Sequence, residues 1–155
     1  MGKFNDKISA EFHPPRKWVL ERALSYTNKD LEVEALRKIG AQITAGGKIT
    51  CKKDFVTDLA SVPRICWMLI APWDIARAAI IHDLLYKRIR QYRAKNKGLA
   101  QEDSKVISAA KKESDKVFLA AMKDADPAVP KWKIYSAYYS VVLCGRWSII
   151  PREED

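Results

Sequence analysis

The 155 residues are 48% hydrophobic and 30% charged, and 28 Lys and Arg against 19 Asp and Glu leave a net charge of +9. A chain of this size buries roughly two-thirds of its unfolded surface, which makes an ordinary core without disulfide or metal staples. No apolar run approaches the ~20 residues of a membrane helix, the stretch from Met1 to Lys7 lacks the apolar segment of a secretory signal, and Asp6 stands where a myristoylation motif wants Ser or Thr.

In chain order, Trp18 to Tyr26 has strand composition, and Lys29 to Lys38 reads as a short helix or an irregular excursion. Two β-branched runs flank Gly46-Gly47, a hairpin signal, and Phe55-Val56 extends the sheet toward Asp58. From Pro63 the pattern turns helical. Ile75, Ala78, Ala79, Leu85, Tyr86 and Ile89 fall at a helical period with His82 on the same stripe. A second helix is predicted from about Gln101 to Lys123, with Val106, Ile107, Ala110, Val117, Phe118, Ala121 and Met122 inward. Two prolines mark Asp124 to Pro130 as a turn. A third helix runs from Lys131 to about Leu143 and carries Trp132, Tyr135, Tyr138 and Tyr139. The expectation is a single α+β domain over residues 1–155. A small N-terminal antiparallel sheet (about 9–58) packs on about three C-terminal helices (about 61–147), and 148–155 form an exposed tail.

Chemistry concentrates in three motifs: Thr57-Asp58-Leu59-Ala60-Ser61-Val62-Pro63-Arg64, His82-Asp83-Leu84-Leu85-Tyr86, and Ser114-Asp115-Lys116-Val117-Phe118. Each sets a carboxylate or imidazole among apolar residues, where an ionised group needs a partner. Neighbours on a helix point about 100° apart, so His82 and Asp83 face different partners. Asp115 shares the buried face of its helix with Phe118 and Met122 and is the acceptor expected for the His82 ring. An imidazole held through one nitrogen by a carboxylate has the geometry of a general base; a satisfied core pair has the same geometry. Ser61 is a good helix N-cap. Asp58 and Asp83 could meet as oxygen ligands of Ca²⁺ or another divalent cation, although two carboxylates alone make a weak site.

Other classes find little support. Cys51, Cys66 and Cys144 include no closely spaced ligand pair and read as reduced thiols. Ser61 lacks a Gly-flanked nucleophile elbow, and there is no P-loop, dinucleotide fingerprint or His-Glu-Xaa-Xaa-His helix. The basic stripe of Lys87, Arg88, Arg90, Arg93, Lys95 and Lys97 has no acid within it. It suits nonspecific attraction to nucleic acid, or is the solvated, cation-rich end of a helix.

Taken together, Phe55 to Arg64, His82 to Tyr86 and Asp115 to Met122 resemble the phage and prophage family known as domain of unknown function 1353, with a likeness that spans roughly residues 17 to 147. Many members read Val-Pro-Xaa-Gly-Phe before Thr-Asp; here Cys51-Lys52-Lys53-Asp54-Phe55 stands instead. The resemblance implies a phage or prophage origin, near virion or lysis functions, and brings no activity. A weaker likeness is to secretory calcium-dependent phospholipases. It implies His82 as base, Asp83 as calcium ligand, Asp115 as orienter and Tyr86 as a supporting hydroxyl, but the chain lacks their Gly-rich calcium loop and cysteines.

The reading preferred on these grounds is a bacteriophage structural or accessory protein, in the virion or the host bacterial cytoplasm. Its His-Asp-Asp cluster stabilises the fold and its basic and aromatic surface binds other virion proteins, homo-oligomers being a further option. The alternative is a metal-assisted ester hydrolase with His82, Asp115 and Tyr86 catalytic and the cation on Asp83 and Asp58.

Overall fold

A computed structural model of the chain describes residues 1–15, 17–58, 72–96 and 101–153. Six strands come first: β1 (Lys3–Phe4), β2 (Ala10–His13), β3 (Lys17–Leu20), β4 (Leu24–Thr27), β5 (Lys48–Cys51) and β6 (Val56–Thr57). A short helix, α1 (Glu34–Lys38), lies between β4 and β5, and three long helices follow: α2 (Pro72–Lys95), α3 (Gln101–Lys123) and α4 (Lys131–Ser148). The α+β expectation is met. The strands form two three-stranded antiparallel sheets rather than one, in the orders β1-β4-β5 and β2-β3-β6. The predicted strand over Trp18 to Tyr26 is two strands, one in each sheet, because the chain breaks at Glu21 to Ala23.

The Gly46-Gly47 hairpin is reduced to a turn. β5 spends its ladder on β4, with Leu24 opposite Cys51 and Tyr26 opposite Ile49, so Ile43 makes only an isolated bridge to Ile49. Gly47 takes φ +74°, left-handed backbone that Gly adopts without steric cost. Asp54 holds the same region at φ 66°, at the position where the resembled pattern carries Gly. The loop thus keeps its left-handed turn, and the bonds from Asp54 N to the Leu20 carbonyl (2.7 Å) and from Leu20 N to the Phe55 carbonyl (3.0 Å) pin it to β3.

Leu20, Leu24, Tyr26, Ile49 and Cys51 of the sheets meet Ile81, Leu85 and Ile89 of α2 and Phe118 and Met122 of α3 in one continuous core. α2 is buried on nearly every side from Ile75 to Arg90. A helix enclosed all round shows a weak apolar stripe, so both His82 and Asp83, 100° apart, end up inside. α3 is amphipathic as read, with Glu102 and Asp103 in its first turn and Lys123 in its last, matching the helix dipole. Its Glu113 carboxylate accepts from the backbone N–H groups of Ala35 (3.1 Å) and Leu36 (2.9 Å), which caps α1 from outside, since Val33 at its N-cap offers no side-chain bond. α4 runs five residues further than expected, to Ser148, and Ile149 beyond it is buried rather than part of an exposed tail.

Candidate functional site

α2 and α3 bring the second and third motifs together. The Asp115 Oδ1 lies 3.0 Å from His82 Nε2 and accepts from the Tyr86 hydroxyl at 2.7 Å, while Oδ2 accepts from Lys111 Nζ at 2.7 Å. The ring of His82 is 0% exposed and Asp115 is 3% exposed. Burial pushes the Asp115 carboxyl up, but the bonds from His82, Lys111 and Tyr86 outweigh it and leave the pKa below its ordinary value. An ionised carboxylate only accepts, so His82 Nε2 carries the proton. In a neutral ring Nδ1 is then a bare lone pair, and it is the one buried side-chain nitrogen or oxygen among the described residues without a hydrogen-bond partner. The Tyr86 and Phe118 rings, with centroids 4.0 and 4.8 Å from that of His82, cover it with apolar surface. Burial first, and then the neighbouring Asp115, push the Tyr86 hydroxyl well above its usual pKa, so it stays a donor.

α4 closes the cluster from its own inner side. A Cβ on Gly145 would overlap the Tyr86 hydroxyl and crowd Lys111 Cε at 3.2 Å, so only glycine lets the two helices approach here. Lys111 Nζ also reaches the Val141 carbonyl at 3.3 Å. Neither Lys111 nor Gly145 was among the residues singled out from sequence. Lys111 stands four residues before Asp115, a helix-face pairing that can be read directly. A lone Gly in a helical pattern signals close packing.

Asp83 and Asp58 do not join His82. Asp83, 5% exposed, accepts from the Thr57 hydroxyl of β6 at 2.6 Å, and the Asp58 carboxylate lies 3.5 Å from Arg152 Nη1. Both carboxylates border a cavity of about 80 Å³ that Lys17, Lys87, Arg90 and Arg152 also line. Four cations around two carboxylates leave no excess negative charge for a hard divalent ion, which binds through clustered oxygens; the residues present do not fit Ca²⁺. Among the described residues no group of three His, Cys, Asp or Glu is placed to hold a metal. Ser61, with the rest of its motif after Asp58, lies outside the described residues.

The basic stripe divides. Arg90 is buried and donates to the Ser148 carbonyl (3.2 Å), and Arg93 donates to the Ile149 carbonyl (3.0 Å). These guanidiniums serve the C-terminal end of α4, where unpaired carbonyls favour cations. Lys87, which also borders that small cavity, and Arg88 line a separate groove against the β5–β6 loop. Lys95 is exposed, and Lys97 lies outside the described residues. The stripe therefore does not present one cationic face. Cys51 is buried with Sγ 3.7 Å from the Ile80 carbonyl; burial, then the charge of Asp83, raise its thiol pKa, which makes it inert as a nucleophile.

The family of proteins of unknown function DUF1353 matches residues 18–141, four-fifths of the chain and all of the His82–Asp115 cluster. The chain belongs to that family. No curated protein matches it, and no solved structure does. The match takes in the buried cluster but not β1 or β2, and it assigns no reaction. No helix among the described residues is long and apolar enough to cross a membrane.

Proposed function

We propose that the chain is a non-catalytic binding protein of bacteriophage, acting in the virion or in the host cytoplasm, and that the outer face of α4 docks on an acidic partner protein. The observation that carries this reading is the exposed face itself. Trp132 (56% exposed), Leu143 (68%) and Trp147 (62%) stand out from one helix together with Tyr135, Tyr139 and Val142, and Ile150 just beyond its end is exposed as well. Contiguous apolar surface of this kind marks interaction sites, and Trp and Tyr dominate binding hot spots.

Charge argues for what covers it. α4 carries no carboxylate, and cations stand over its rings: Lys123 Nζ 5.3 Å from Tyr135, Lys133 Nζ 5.7 Å from Trp132, and the Arg146 guanidinium 5.2 Å from Trp147. A second copy would set like charges against each other, whereas an acidic surface complements them. The phage setting rests on the likeness of the three motifs to a phage and prophage family. The buried cluster then serves as the brace that holds α2, α3 and α4 in place behind the docking face.

A photo-crosslinker at Leu143 in purified phage particles tests the reading. Crosslinks to an acidic surface of another particle protein, lost in Trp132→Ser/Trp147→Ser, are expected. Crosslinks only between copies of this chain, in particles and in lysates of infected cells alike, would overturn it.

One observation favours a second reading, an ester hydrolase with His82 as base: the partnerless Nδ1 of a ring held by Asp115. Enclosure of that ring and the cation-rich surroundings of Asp58 and Asp83 weigh against it. Ester turnover abolished by His82→Asn in a folded protein would reinstate it.

A further inference from the structure

We propose that the groove between the β5–β6 loop and α2 binds a nucleotide, its phosphates on Lys52, Lys53, Lys87 and Arg88 and its ring on Phe55 and Leu84. The groove holds about 340 Å³, within the range of roughly 300–1,000 Å³ that small-molecule sites occupy. It shares no residue with the outer face of α4, so it stands apart from the docking proposal.

Its lining is one-sided. Four cations face a single carboxylate, Asp54. Arg88 Nη1 donates to the side-chain Oε1 of Gln91 at 2.9 Å, and Lys87 Nζ lies 5.8 Å over the Phe55 ring. None of the four pairs with a carboxylate among the described residues. A concave site lined by one sign of charge concentrates counter-ions. Guanidinium and ammonium together suit phosphate, the first as a planar fork and the second as a point charge.

Part of the floor is apolar, beside Gln42 and Thr50. Leu85 and Ile49 are buried beneath it, and Phe55 and Leu84 are partly exposed at its surface. A flat ring satisfies such a floor, which inorganic phosphate alone would leave wet. The loop also bears the mark of a constrained site. Asp54 sits at φ 66°, and non-glycine residues held in left-handed backbone cluster at ligand clamps. That turn sets Lys52 and Lys53 on the rim, where the resembled family pattern has Pro and a variable residue, so the cationic rim is a feature of this chain.

Calorimetry on the full chain with ADP, inorganic pyrophosphate and a short single-stranded oligonucleotide tests the proposal at low salt. ADP is expected to bind at least about tenfold tighter than pyrophosphate, because the ring adds apolar burial. Lys52→Gln/Lys53→Gln, both exposed and harmless to folding, should weaken ADP about tenfold or more, since charge-assisted bonds are lost. Phe55→Leu should weaken ADP and leave pyrophosphate unchanged. Absence of ADP binding, ADP affinity unchanged in the double variant, or pyrophosphate binding as tight as ADP would each overturn it. So would oligonucleotide binding that ADP fails to displace, which would assign the groove to a strand.

Discussion

Asp115 and Asp83 are both almost wholly buried, one on α3 facing α2 and the other on α2 facing β6, and their surroundings differ. Asp115 takes three donors, two from α2 and one from its own helix, and apolar rings close over the His that binds it. Asp83 takes the Thr57 hydroxyl from the second sheet and borders a small cavity rimmed with cations. Burial alone therefore does not define a carboxylate's task. A saturated carboxylate under rings braces helices against one another, whereas one at a cavity's edge ties sheet to helix.

The most damaging way to break this contrast is Asp115→Ala. It strands Lys111, the Tyr86 hydroxyl and the His82 N–H at once, and removing one partner of a buried pair costs about 3–5 kcal/mol. Thermal unfolding followed by circular dichroism should show a fall of roughly 6–20 °C, given about 2–4 °C per kcal/mol for a chain of this size. A fall of only a degree or two would mean that the cluster braces nothing.

Gly145→Ala comes next. Overpacking against Tyr86 costs about 1–3 kcal/mol, partly offset by the gain of about 1 kcal/mol from replacing glycine in a helix. A net loss of up to about 2 kcal/mol, measured by urea unfolding, is expected; a stabilised variant would show that α4 does not rest on Tyr86.

Acid sharpens the comparison further. Asp115 is held below the ordinary carboxylate pKa, so its ionised form adds stability that is complete above that ordinary value and drains away as pH falls through the depressed one. The stability gap between the native chain and Asp115→Asn should be flat from neutral pH down to about pH 5 and close progressively below about pH 4. A gap that persists undiminished in strong acid would refute the assignment. The smallest effect belongs to Arg152→Gln, which loosens a half-exposed contact to Asp58; such pairs are worth about 0–1 kcal/mol, and a melting shift beyond a few degrees would be unexpected.

How much of this was legible follows the range of each interaction. The inward face of α3 and the meeting of His82 with Asp115 could be read because two helical periods each specify a side. The partner of Asp83 could not, since Thr57 lies 26 residues away on a strand and no periodicity links a strand's face to a helix's. The enclosure of α2 was hidden because the stripe through Ile75, Ala78 and His82 marks one buried side and says nothing of the others. The two sheets looked like one because a three-residue break at Glu21 to Ala23 leaves no Gly or Pro to announce it. The splitting of the basic stripe was equally invisible, as it depends on where α4 ends.

That ending has a mechanical consequence. With Arg90 and Arg93 gripping the carbonyls of Ser148 and Ile149, the far end of α4 is tethered by the helix at the molecule's centre. A chain cut after Trp147 would lose both carbonyls that these guanidiniums hold. The short segment after the last helical turn thus works as a latch on the end of the helix that carries Trp147.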